Sequence, residues 1–401
     1  MMRWRRSGPG SRGIVNLNTF RRARIATGIV AVLIAGCGGK SEQGAAVEPA
    51  PGASAAVPVS EEKVVNVYNW VDYIEPAMLE KFTAETGIKV NYDTYDSNEM
   101  LETKLLAGST GYDVVVPSNT FLERQIKAGA FQQLDRSRIA NWKNLDPQIV
   151  ERVAMNDPGN RYAVNYMWGT NGIGYDEAKV KAIMPDAPVD SWKLVFDPAV
   201  ASKFKDCGIA LLDSPTDVVP LVLIYLGKDP NSESESDLKQ AEDMLLAVRP
   251  FIRMINSSTY TDALANGDIC IAVAWSGTLL QARDRAAAVG HGRVIKYSIP
   301  KEGTISWFDM LAIPKDAPHP GNAHAFIDFL QRPEVAAANS NFLNYASGNS
   351  AALPFVADST RNDPAIYPSA EVRSRIQVDT VESEPYSRIL NWTWTRFVAN
   401  K

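Results

Sequence analysis

Six side chains stand where a chain of alternating strands and helices exposes residues at the ends of its strands. Trp70 and Tyr73 follow the β-rich run Val64-Val-Asn-Val-Tyr-Asn69, just ahead of a helical segment. Ser118 follows the apolar run Asp113–Val116, and Trp275 closes Ile269–Ala274. Trp307 and Asp309 flank Phe308, so strand alternation turns both toward one face. In open α/β sheets, ligands bind in the crevice beyond the carboxyl ends of the strands. Indole rings gathered there attract a cation through their faces, and a carboxylate accepts its N–H groups. Taken singly, each Trp reads as core or rim. Several at strand ends read as a cage for an alkylammonium.

Other chemistries lack their parts. The chain has three histidines, His291, His319 and His324, and no HExxH, GxSxG, P-loop or CxxC motif. Catalytic triads, zinc sites and nucleotide cradles are therefore not expected, and neither is a metal or cofactor. An exported hydrolase built on two carboxylates remains the enzyme alternative, since any acidic chain offers such pairs. The expectation is a protein that binds and does not react.

The elements that must carry these residues alternate. A helix over Glu75–Glu85, with Met78, Leu79 and Phe82 at helical spacing, ends at Gly87. A strand Ile88–Tyr95, a helix Asn98–Ala107, the strand Asp113–Val116 and a helix Phe121–Ala128 follow. A second set has strands near 208–212, 269–274 and 293–298, and helices near 216–226, 237–247 and 277–288. A third stretch holds a strand Trp307–Ile313 and two helices split by Pro333. This order predicts an α/β fold with mainly parallel sheets covered by helices, in two lobes with a cleft between them.

The 401 residues, 45% hydrophobic and 22% charged, are enough for two or three cores. The formal charge is −5, but residues 1–36 hold seven arginines and no acid, which leaves −12 on the other 365 residues. Such a surface repels nucleic acid and suits a cationic ligand.

Arg21, Arg22 and Arg24 precede a 12-residue apolar and small run, Ile25 to Gly36. That is short of the ~20 residues a membrane span needs and reads as an export signal, residues 1–36. Its end, Ile34-Ala35-Gly36-Cys37, resembles a bacterial lipobox, which would make Cys37 the site of lipid attachment. Residues 37–63, rich in Ala, Pro, Gly, Ser and Glu, then form a flexible tether from membrane to domain. Export leaves Cys207 and Cys270 as an even pair in an oxidising compartment, so a disulfide is expected between them.

Longer segments carry a family resemblance. Tyr68-Asn-Trp-Val-Asp-Tyr73, Leu106-Ala-Gly-Ser-Thr-Gly-Tyr-Asp-Val-Val-Val-Pro-Ser118, Leu226-Gly-Lys-Asp-Pro-Asn231, Leu264-Ala-Asn-Gly-Asp-Ile-Cys270 and Ile299-Pro-Lys-Glu-Gly303 span almost the whole chain from Val64 onward. In these it resembles the periplasmic polyamine (putrescine/spermidine)-binding proteins of ABC importers. The resemblance implies a two-lobed type II periplasmic-binding (Venus-flytrap) fold, with one lobe at 64–165 and 302–343 and the other at 166–301 and 344–401. It implies aromatic walls at Trp70, Tyr73, Trp275, Trp307 and Tyr345, and polar and acidic contacts at Ser118, Asp217 and Asp309. It also implies a monomer that closes on a polyamine and docks on a membrane permease whose partner ATPase supplies the energy. A lipid-anchored receptor for a membrane sensor, or a binder of another organic cation, are the alternatives.

Several positions depart from the putrescine-selective members of that family. Val71 stands where many relatives have a hydroxyl residue, and Thr278 where an acid follows Trp-small-Gly. Asp217 replaces a longer Glu, and Trp307 replaces a Phe, as in spermidine-type members. These departures point toward spermidine ahead of putrescine.

Overall fold

The computed structural model describes residues 61–290 and 292–400. The signal segment, Cys37 and all but the last three residues of the expected tether lie outside the described residues, as does His291. Eleven strands occur among the described residues: β1 (Val64–Trp70), β2 (Lys89–Tyr95), β3 (Val114–Val115), β4 (Ala163–Asp176), β5 (Ile209–Leu211), β6 (Ile252–Ile255), β7 (Ile271–Trp275), β8 (Ile295–Ser298), β9 (Thr304–Ala312), β10 (Ala346–Ser347) and β11 (Ile376–Val378). They join in the order β2-β1-β3-β9-β4-β7-β5-β6, with β10 and β8 on β4 and β11 on β9. No helix among the described residues is long and apolar enough to cross a membrane.

The outer strands are parallel as expected, β1 with β2 and β3, and β5 with β6 and β7. The centre is not. β4 and β9 run antiparallel to each other, and β4 is antiparallel to β7 and β8 as well. The sheet is therefore mixed, and the expectation of mainly parallel pairing is corrected. The strand-helix alternation conveyed the outer pairings but carried no sign of β4, whose Gly169, Gly172 and Gly174 weaken its strand signal. Those glycines sit under large side chains. A Cβ would fall 2.4 Å from Trp307 at Gly169, 2.4 Å from Tyr297 at Gly172 and 2.4 Å from Leu279 at Gly174.

β4 belongs to both halves of the molecule. Ala163–Thr170 pairs with β9, whereas Asn171–Asp176 pairs with β7 and β8. One core gathers Val65, Phe82, Val164, Leu311, Phe326 and Leu343, and another gathers Ile173, Trp192, Leu223, Ile271 and Phe397. β9 crosses too, since Ile305 lies in the second core and Leu311 in the first. This is a two-lobed type II architecture whose halves share their central strands.

The packing divides the C-terminal part differently from the expected boundary at 344. Tyr345, Ala346 and Ile366 pack with the first half, while Tyr386, Leu390, Trp394 and Phe397 pack with the second. The last group lies on the amphipathic helix Glu384–Val398, whose buried positions recur at helical spacing.

Local signals place the strand ends. The helix Pro76–Thr86 starts with Pro at its first turn, is capped by the Glu75 carboxylate and stops at Gly87 in left-handed conformation, φ 69°. Phe82 meets Phe326 and Phe329 edge-on, with ring centres 5.1 and 5.3 Å apart. Its full burial contributes about 1.5–3 kcal/mol to holding that helix on the sheet. On the far side, Cys207 and Cys270 form a disulfide with Cα atoms 5.6 Å apart, tying the segment before β5 to the segment before β7.

Candidate functional site

A cavity of about 460 Å³ opens where β1, β3, β7 and β9 present their ends and edges, and it draws its wall from both halves. Trp70, Tyr73, Ser118, Asp217, Trp275, Trp307, Asp309 and Tyr345 all line it. The eight residues singled out from sequence and resemblance are thus brought together in one place.

Asp309 sits at the floor, 5% exposed. The Tyr73 hydroxyl donates to its Oδ2 at 2.7 Å and the Ser118 hydroxyl to its Oδ1 at 2.7 Å. Ser118 is held in turn by Asn98, which donates to its hydroxyl and accepts from its backbone N–H, both at 3.1 Å. A bridge between Ser118 and Asp309 locks the end of the β3 segment onto β9. Burial pushes the Asp309 carboxyl up to about 6; the bonds from Ser118 and Tyr73 pull the other way, and the charge of Asp217 adds to the rise.

Asp217 faces it from the other half. It lies in the first turn of the helix Pro215–Tyr225, where the helix dipole favours an acid. Asn171 donates to its Oδ1 at 2.8 Å and the Trp275 indole N–H donates to the same oxygen at 3.1 Å. Burial raises its carboxyl above the usual range, against the hydrogen bonds from Asn171, Ser214 and Trp275. Among the described residues no Lys or Arg pairs with either carboxylate. Both are fixed by neutral donors, which set position without cancelling charge.

The aromatic residues complete the walls. Trp70 donates its indole N–H to the Val116 carbonyl at 2.9 Å and leans on Tyr95, ring centres 4.8 Å apart. Tyr345 meets Tyr73 and Trp307 edge-on at 5.6 and 5.0 Å, linking the two rings. Its position depends on Gly277, where a Cβ would fall 2.4 Å from the Tyr345 ring. The absence of that Cβ lets the Tyr345 hydroxyl accept from the Thr278 backbone N–H at 3.2 Å.

Thr278 lines the cavity, yet its hydroxyl is already engaged, donating to the Trp275 carbonyl at 2.9 Å and contacting the Tyr260 hydroxyl. Val71 lies exposed at the mouth beside Asp72, which takes a left-handed backbone at φ 53°. Asp96 and an Asp262–Arg285 ion pair of 2.6 Å also border the opening.

The sequence reading missed two residues of consequence. Asn171, the amide that holds Asp217, lies in the glycine-broken β4. Asp379 lines the same cavity directly after β11. The strand-end rule that pointed to Trp275 applies equally to Asp379, but Ile376–Val378 is too short to read as a strand. Among the described residues no group of His, Cys, Asp and Glu is arranged to hold a metal ion.

Residues 77–368 match the family model for bacterial extracellular solute-binding proteins. The chain is 50% identical over 343 residues to the putrescine-binding periplasmic protein SpuD of Pseudomonas aeruginosa, covering 85% of this chain and 94% of that one. It is 48% identical over 344 residues to the putrescine-binding periplasmic protein PotF of Escherichia coli, covering 85% and 93%. Among solved structures, the spermidine/putrescine ABC transporter substrate-binding protein PotD of Streptococcus pneumoniae superposes with a TM-score of 0.73 at 30% identity, covering 84% of this chain and 99% of that one. Matched along most of its described length by such proteins, the chain belongs to the family of bacterial extracellular solute-binding proteins.

Proposed function

We propose that this protein captures a polyamine in the periplasm, spermidine ahead of putrescine, and delivers it to an ABC permease. The observation that carries the reading is the pair Asp309 and Asp217, on opposite walls of one aromatic cavity and each fixed, among the described residues, by neutral donors. A buried carboxylate without a counter-ion is costly, and an ammonium that enters beside it removes that cost. Methylenes pack on Trp70, Tyr73, Trp275 and Tyr345, while the terminal ammoniums reach the acids and Ser118. Ligand that touches both walls favours the closed molecule, because only that form offers both sets of contacts. The lobes share β4 and β9, which serve as the hinge. The protein acts as a monomer and is held to a membrane by lipid on Cys37.

Two departures support the longer ligand. The Thr278 hydroxyl is already bonded within the protein, so the position gives a second terminal ammonium little. Trp307 offers a broad face to an ammonium along the chain. The similarity to the putrescine-binding proteins SpuD and PotF favours a second reading, in which putrescine is the preferred ligand. Titration calorimetry of both amines at one ionic strength, on protein lacking residues 1–37, tests the proposal. Spermidine is expected to bind more tightly. Putrescine binding at least about tenfold more tightly (roughly 1.4 kcal/mol) would establish the second reading, and no binding of either would end both.

A further inference from the structure

We propose that Asp379 is a specificity-determining residue of this cleft, the counter-charge of an internal ammonium, so that the cavity is built as a three-carboxylate site for a triamine. The proposal rests on the polyamine reading above and deepens it.

The placement comes from strand register. β11 pairs parallel to β9 with Val378 opposite Ser306, so the next residue, Asp379, stands level with Trp307. Both residues line the cavity. The segment is held from both halves. Asn231 donates to the Val378 carbonyl at 3.1 Å and accepts from the Thr380 N–H at 3.1 Å, while Asn119 donates to the Asp379 carbonyl at 3.3 Å. The Thr380 backbone N–H also donates to the carboxyl, and among the described residues no side chain donates to it and no Lys or Arg pairs with it.

All three acids line one cavity, and the charge of Asp217 raises the carboxyl of Asp309 and that of Asp379 alike. Burial is the first cause at Asp379, and Glu382 adds to it. A diamine spanning Asp309 and Asp217 leaves the third acid uncompensated. A triamine places an ammonium on the face of Trp307, beside the Asp379 carboxylate, where cation–π attraction and a charge-assisted hydrogen bond act on one nitrogen. Carboxylates held by neutral donors and without a counter-ion favour a ligand that brings an ammonium to each.

The test separates the internal nitrogen from chain length. Spermidine and 1,8-diaminooctane have the same number of chain atoms between their terminal nitrogens, and only spermidine carries the internal amine. Calorimetry of the full mature protein should show spermidine binding about tenfold or more tightly than 1,8-diaminooctane, and Asp379→Asn should erase that ratio. Equal wild-type affinity for the two long ligands would overturn the proposal without any variant. So would an Asp379→Asn protein that keeps the ratio. If the wild type binds neither of the two nor putrescine, the polyamine reading itself has failed, a result distinct from these.

Discussion

The two walls of the cleft hold their carboxylates in different ways. On the first, Asp309 is buried and gripped by two hydroxyls that come from residues 236 and 191 positions away in sequence. On the second, Asp217 is partly exposed at a helix start and takes its donors from an amide and an indole within its own half. The Asp309 arrangement exists only when the ends of β1 and β3 meet the middle of β9, whereas that of Asp217 is finished inside one lobe. The first wall is therefore a pre-organised charge in a dry floor, and the second is a wetter one that meets the ligand on closure.

The largest consequence is that the two acids are unequal. Asp309→Asn should weaken polyamine binding about 10- to 100-fold, and Asp217→Asn less, since a charge-assisted bond in a dry site is worth about 1.5–3 kcal/mol and solvent weakens the more exposed one. Calorimetry on both variants decides it. An equal or larger loss at Asp217 would break the comparison, and unchanged affinity in both would remove the site assignment. The unliganded Asp309→Asn protein should melt no lower at pH 7, because it no longer buries a charge.

The pH response sharpens the same contrast. The Asp309 carboxyl is raised to about 6 in the folded protein, against roughly 3.9 unfolded, so the contribution of this group to stability is fully present below about 4 and lost as pH rises to about 6. Ligand affinity runs the opposite way, since an ammonium pairs with the ionised form. Binding measured from pH 7.5 to 5 should weaken below about 6, and Asp309→Asn should flatten the part of the curve that belongs to this residue. An unchanged curve would mean that another group controls it.

Smaller still is the effect expected at Thr278. An acid there would face the cavity beside Trp275, and Thr278→Asp should move preference toward putrescine by a few-fold, about 1 kcal/mol. Competition between the two amines reads this directly. A shift toward spermidine would refute the weighing of this position. The least effect on the ligand belongs to the disulfide, whose cysteines are not among the cavity-lining residues. Cys207→Ser with Cys270→Ser should lower the melting temperature, with about 2–4 kcal/mol at stake, and leave the ratio of ligand affinities unchanged. A changed ratio would show that the second wall feels the bridge.

The contrast between the walls also explains what could be read in the sequence. Pro76, Gly87 and the spacing of Phe82 announce their helix, and strand alternation places Trp307 with Asp309, because such signals are local. The eight cavity residues lie next to elements of this kind or within segments of long family resemblance. β4 was illegible because its glycines make room for Trp307, Tyr297 and Leu279, a reason that only the folded molecule states. β11 was illegible because three residues carry no period. Asn171 and Asp379 were missed with the strands that carry them. Which half Tyr345 and Phe397 pack with is likewise not legible locally, since long-range contacts decide it.

The shared central strands also govern the order in which this protein can fold. The first core needs Leu311, Phe326 and Tyr345, and the second needs Trp394 and Phe397. A chain that emerges amino end first completes the first core only once Tyr345 is free and the second only once Phe397 is, so strands made early wait for distant partners. Losing the final helix would leave the second core open on one side, even though that helix supplies no residue to the cavity lining.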